Sequence, residues 1–198
     1  CLQLLVPRLA VEAALDSFGI TIAPPRFCRR GSGQHRLEGR LAIADFDVGR
    51  NMHPLLDGMK PASSVTYLTD ELGDRAASYI KQHASEPFFL YLAFNAAHTP
   101  MEAPQHYLDR FPKIADPQRR TYAAMMSAMD DAIGRTLAAV RDQKLEENTL
   151  VIFLNDNGGP TMPTTTVNGS SNGPLRGSRR QPWEGGIRVA VAMSWKGH

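Results

Sequence analysis

Two apolar runs of strand length, residues 88–94 (FFLYLAF) and Thr149–Leu154 (TLVIFL), bracket a long amphipathic stretch, and this alternation most limits what the chain can fold into. Asp116-Pro117 supplies a capping carboxylate and a proline at the first helical position. Tyr122, Met125, Met126, Met129, Ile133, Leu137 and Val140 then recur at spacings of three and four, so a helix over 117–142 is expected to lay one face on a sheet. At this spacing the methionines read as a core stripe rather than as a soft-metal face. Strand, helix and strand together make a βαβ unit, whose right-handed crossover requires parallel strands. The first run is apolar at nearly every position, which predicts a central strand buried on both faces. Upstream, Leu72, Ala76, Tyr79 and Ile80 follow a Thr69-Asp70 cap signal and predict a second helix over 68–83.

Parallel neighbouring strands deliver their exit loops to one sheet edge, where open α/β sheets build their sites. The first loop is Asn95-Ala96-Ala97-His98-Thr99-Pro100 and the second is Asp156-Asn157-Gly158-Gly159. Asp156 and Asn157 offer oxygen ligands to a hard cation, and His98 offers a proton or a hydrogen bond. Further on, Arg176, Arg179 and Arg180 concentrate positive charge in one loop. Each feature has a plainer reading: a turn after a strand, a surface histidine, a solvated basic loop. Asp130 and Asp131, beside the methionine stripe, read as ligands or as solvated carboxylates. Convergence of the two exit loops and the arginines at one edge describes a metal-assisted site for an anionic ester. Asn168-Gly169-Ser170 also matches a glycosylation acceptor triplet.

Composition narrows the classes further. The 22 basic and 20 acidic side chains of the 198-residue chain leave a formal charge of +2, too balanced for a general nucleic-acid or membrane-surface binder. No stretch has the apolar length of a membrane span. Cys1 and Cys28 are the only cysteines and have no Cys-x-x-Cys spacing, so neither a disulfide framework nor a zinc cluster is indicated. Residues 1–60 carry little periodicity: residues 2–15 are apolar enough for a short helix, and the arginine-rich run 26–40 reads as a solvated basic segment or an anion patch. The absence of an initiator methionine and of a signal-peptide pattern suggests part of a longer protein.

Five blocks carry a resemblance to a known family: residues 67–70 (YLTD), 95–104 (NAAHTPMEAP), 129–134 (MDDAIG), 154–159 (LNDNGG) and 174–189 (PLRGSRRQPWEGGIRV). In this order they resemble the sulfatases, most nearly the arylsulfatase and N-acetylgalactosamine-6-sulfatase branch of the alkaline-phosphatase-like superfamily. The resemblance implies an α/β fold with a partial alkaline-phosphatase-like, mixed but mainly parallel sheet flanked by helices. Residues 61–198 would form part of the catalytic domain, with 1–60 a poorly matching amino-terminal segment. It also implies Asp156 and Asn157 as ligands of one divalent cation, usually Ca2+, and His98 as a catalytic histidine touching the sulfate and the leaving-group side. Arg179 falls where the family has a sulfate-binding lysine, and so becomes a second substrate contact. The implied substrate is a sulfated small molecule or glycan. The parent family is commonly exported, to the periplasm or the extracellular space.

Two departures qualify these expectations. The sulfatase nucleophile is a formylglycine made from the first residue of a Cys/Ser-x-Pro-x-Arg block, and neither Cys1 nor Cys28 begins such a block. The family's paired amino-terminal aspartates are not matched either. The isolated chain is therefore expected neither to hydrolyse sulfate esters nor to bind calcium tightly, although the intact parent would be a sulfuric ester hydrolase. Two alternatives are a phosphatase or phosphodiesterase of the same superfamily and a non-catalytic sulfatase remnant.

Overall fold

A computed structural model describes residues 2–7, 56–57, 60–61, 65–162 and 167–198. Cys1, Cys28 and the arginine-rich run 26–40 lie outside the described residues, as does the remainder of the expected helix over 2–15. The elements in chain order are β1 (Leu2–Pro7), the short strands β2 (Leu56–Asp57) and β3 (Lys60–Pro61), α1 (Leu68–Gln82), β4 (Leu90–Ala93) and α2 (Gln105–Leu108). They continue with α3 (Pro117–Asp142), a 3-10 turn (Glu146–Asn148), β5 (Thr149–Leu154), α4 (Glu184–Ile187) and β6 (Val191–Ser194).

The helix α3 starts where its cap dictates. The Asp116 carboxylate accepts from the Arg119 amide at 2.6 Å, satisfying one of the donors left open in a first helical turn, and Pro117 follows at the first helical position. Met125, Met129, Ala132, Ala139 and Val140 form its buried face, so the methionine stripe is core. Helix α1 begins at Leu68, with Tyr67 at the cap position and no side-chain cap bond. Thr69 and Asp70 sit inside the first turn instead. Thr69 is buried, and Asp70 accepts from Tyr107 Oη at 2.8 Å and pairs with Arg135 at 3.0 Å, tying α1 to α2 and α3. Leu72, Ala76 and Ile80 of α1 meet the α3 face. Gly73 permits the close approach: a Cβ there would lie 2.7 Å from that of Ala132. A helical glycine costs about 1 kcal/mol of propensity, which the contact offsets.

The four-stranded sheet has the order β4-β1-β5-β6. The α/β class and both flanking strands are as expected, but β4 and β5 are not neighbours. Strand β1 lies between them, antiparallel to both, with Leu2 opposite Ala93 on one side and Leu154 on the other. β4 and β5 therefore still point the same way and end level with each other. Every described neighbouring pair is antiparallel, since β6 also runs against β5. Residues Leu2–Pro7, expected to be helical, are a strand because a six-residue apolar run has no period of its own and these partners offer it two ladders.

β4 also differs from the central, doubly buried strand expected. Its residues alternate: Phe88, Leu90, Leu92 and Phe94 are buried under α1 and α3, while Phe89 and Tyr91 on the opposite face are 43% and 48% exposed. Full burial of a leucine such as Leu92 contributes roughly 1.5–3 kcal/mol, so the helix-facing side of β4 anchors the sheet.

Candidate functional site

β4 and β5 end opposite the same residue of β1, so their exit loops leave one edge of the sheet. The two loops line a single cleft of about 950 Å³ together with the loop before α4. His98, Asp156, Asn157, Arg179, Arg180 and Arg188 all line it. The expected convergence therefore occurs, although through an intervening strand. Arg176 does not line the cleft; its guanidinium lies 4.0 Å from the Trp183 ring, a cation–π contact.

His98 Nδ1 lies 2.8 Å from the Thr99 carbonyl oxygen, which can only accept, so Nδ1 carries a proton. On the other side of the ring, Nε2 lies 2.8 Å from Arg179 Nη1, which can only donate. The two bonds assign the Nδ1–H tautomer, with the Nε2 lone pair turned to the guanidinium. A further tie fixes the loop backbone: the His98 amide donates to the Asn95 carbonyl at 2.7 Å.

Asp156 and Asn157 open the loop after β5, with Asp156 Oδ1 accepting from the Asn157 amide at 3.0 Å. The glycines after them are set by packing. A Cβ on Gly158 would lie 1.8 Å from the Gly185 carbonyl oxygen, and the Gly158 amide donates to Gly186 at 2.9 Å. The loop thus rests directly on the backbone of α4.

Three residues missed by sequence reasoning hold the remaining wall. Asn172 accepts from the Gly159 amide and donates to the Gly159 and Gly177 carbonyls, all within 3.0 Å. Ser178, wholly buried, accepts from the Thr161 amide at 2.9 Å. Arg179 is then fixed by its amide, which donates to Gly159 at 3.1 Å. Asn168 is 8% exposed; its Nδ2 donates to the Ala97 carbonyl at 2.8 Å and its Oδ1 accepts from the Ser170 amide. The apparent glycosylation triplet is in this fold a brace beneath the His98 loop. The only sequence signal for these roles was a run of short polar side chains, which is equally a loop signature.

Asp130 and Asp131 take no part in the cleft. Asp131 pairs with Arg110 at 2.8 Å, and that hydrogen bond holds its carboxyl below the usual carboxylate range. Among the described residues, no group of three or more His, Cys, Asp or Glu side chains could hold a metal. Asp156 and Asn157 nonetheless fit a hard divalent cation in kind, as an oxygen pair supplying part of a shell of six to eight oxygens.

The chain is similar to known proteins. The sulfatase family model matches residues 26–198. The mouse arylsulfatase J is 40% identical over 124 residues, covering 62% of this chain and 20% of that protein. The pig N-acetylgalactosamine-6-sulfatase is 35% identical over 175 residues, covering 86% of this chain and 32% of its own length. Among solved structures, that of Ps i-CgsB in complex with k-i-k-neocarrahexaose superposes with a TM-score of 0.69 at 35% identity, over 74% of this chain and 32% of that one. The chain thus spans between a fifth and a third of the length of these relatives. With a family model matched over most of its length and the fold shared at 35% identity, the chain belongs to the sulfatase family.

Proposed function

We propose that this cleft is the sulfate-binding part of a sulfuric ester hydrolase, acting on sulfated small molecules or glycans in the whole protein. The observation that carries the reading is the 2.8 Å contact between His98 Nε2 and Arg179 Nη1, in the cleft that Asp156 and Asn157 also line. The guanidinium offers an entering oxyanion its N–H donors, and the adjacent imidazole becomes a second partner once Nε2 is protonated. The anion takes the Arg179 N–H bonds, which frees His98 Nε2 from the guanidinium. Nε2 can then take up a proton from solvent and hold it against a sulfate oxygen or pass it to the leaving oxygen, while Nδ1–H on the Thr99 carbonyl keeps the ring oriented.

Asp156 and Asn157 would hold a divalent cation, calcium by family resemblance. When bound, such an ion neutralises charge on sulfate oxygens. Arg179 in place of the family's lysine keeps the charge but spreads it over a planar fork, which favours two-point contact with a tetrahedral anion. No described residue is assigned as the nucleophile.

Titration of the chain with inorganic sulfate, followed through the His98 ring nitrogens by NMR, tests the reading. Saturable binding that moves the Nε2 resonance, and is lost in Arg179→Ala, is expected. No binding, or binding that Arg179→Ala leaves unchanged, overturns it.

A further inference from the structure

Arg180 is unused by the site just described. It lines the same cleft as His98 and Arg179, is exposed, and makes no hydrogen bond or ion pair with a described residue. Its backbone is also held in the left-handed region, at φ 72°, which is uncommon for a side chain larger than asparagine. Such a conformation costs of order 1–3 kcal/mol and persists only when the surroundings impose it. Here they do. The Arg179 amide is tied to Gly159, the Gln181 amide donates to the Ser178 carbonyl at 3.0 Å, and the Ser178 amide donates to Gln181 Oε1 at 3.0 Å. Glycine would occupy this position without strain, so an arginine there calls for a reason other than the turn itself.

The charge balance of the cleft supplies one. Among the described residues, its lining carries Arg179, Arg180 and Arg188 against Glu102 and Asp156. On the proposed reading, Asp156 faces a cation, and one sulfate monoester is served by Arg179, His98 and that cation. Arg188 lies 3.5 Å from Glu184. Arg180 is then a surplus fixed charge next in sequence to the sulfate contact, its Cα about 3.8 Å from that of Arg179.

Resting on the sulfate-site reading above, we infer that Arg180 is a specificity residue forming a second anion subsite. The substrate it selects is a glycan bearing a second sulfate or a carboxylate within about one sugar of the ester that Arg179 and His98 engage. A guanidinium without a partner among the described residues breaks no ion pair with them on meeting that group, so its contribution appears as discrimination between mono- and dianionic ligands.

Binding of N-acetylgalactosamine 6-sulfate and N-acetylgalactosamine 4,6-disulfate to the chain, measured by calorimetry with wild type and Arg180→Gly, tests the inference. The disulfate is expected to bind wild type about fivefold or more tightly than the monosulfate. Arg180→Gly should abolish that preference and leave monosulfate affinity within twofold. It should also raise the melting temperature, because it removes left-handed strain, so lost selectivity could not be blamed on misfolding. If wild type binds both sugars equally, or Arg180→Gly keeps the preference, the second subsite is refuted and the sulfate reading stands. If neither sugar binds wild type, the sulfate reading falls and the subsite falls with it.

Discussion

His98 Nε2 and Arg179 Nη1 meet at 2.8 Å although 81 residues separate them in the chain. One comes from the loop after β4 and the other from the loop before α4. Their contact fixes which ring nitrogen carries the proton, and it joins the two groups expected to face a sulfate.

Arg179→Lys should keep inorganic sulfate binding within a few-fold, because an ammonium retains the charge, whereas Arg179→Ala should weaken it by about tenfold or more. In Arg179→Ala the Nε2 of His98 should lose its donor, seen as a shift of that nitrogen with Nδ1 still protonated. Equal binding by all three proteins would show that Arg179 is not an anion contact.

Asn168 should act on the site from beneath. Asn168→Ala removes the 2.8 Å bond to the Ala97 carbonyl and the Ser170 contact, leaving buried backbone groups unpaired at a cost of about 1–3 kcal/mol. Thermal unfolding should register that loss, and sulfate affinity should fall although Asn168 need not touch the anion. Conversely, peptide mapping after expression in a glycosylating host should find Asn168 unmodified in folded protein.

Gly158→Ala should be among the most damaging small substitutions in the cleft. The added Cβ would sit 1.8 Å from the Gly185 oxygen, so the Asp156-Asn157 loop or α4 must move. A destabilisation of about 1–3 kcal/mol is expected by urea titration. Unchanged stability would mean that the loop does not rest on α4 as described.

Tyr107 gives a pH signature unconnected with the site. Burial, then its hydrogen bond to Asp70, pushes the phenol up to about 12 from an ordinary 10.0. A raised folded value means the folded state holds the proton more tightly. The contribution is therefore intact below pH 10 and is lost as pH rises from 10 towards 12, by roughly 2–3 kcal/mol in all. Urea titrations at pH 9 and pH 11.5 should show a larger alkaline loss in wild type than in Tyr107→Phe. Equal losses would place the effect on other groups.

Much of the scaffold was legible in the sequence because its signals are local. Asp116-Pro117 and a stripe of period 3.6 set α3, and TLVIFL set β5. β4 was found but misjudged. An aromatic-rich run reads as doubly buried, whereas Phe89 and Tyr91 lie on the face away from α1 and α3 and are exposed. β1 was misread altogether, since no local pattern says that Leu2–Pro7 will pair on both edges with strands about 90 and 150 residues away. At the site, His98, Asp156 and Asn157 were recognisable as chemistry-bearing residues at strand ends, and Arg179 as part of a basic loop. Arg180 appeared only as one more basic residue, because its left-handed backbone and its lack of a partner among the described residues are not written in residue type.

Residue order alone carried the periodic elements, the family and the candidate side chains for a cation and a sulfate, since propensity, capping and motif are properties of neighbouring residues. The insertion of β1 between β4 and β5, and the contact of Arg179 with His98, emerge from the fold alone. The fold likewise makes Asn168 the brace of a loop and leaves Arg180 without a partner among the described residues. These depend on which remote backbone groups find partners, and burial and hydrogen bonding settle that across the whole fold rather than along the chain.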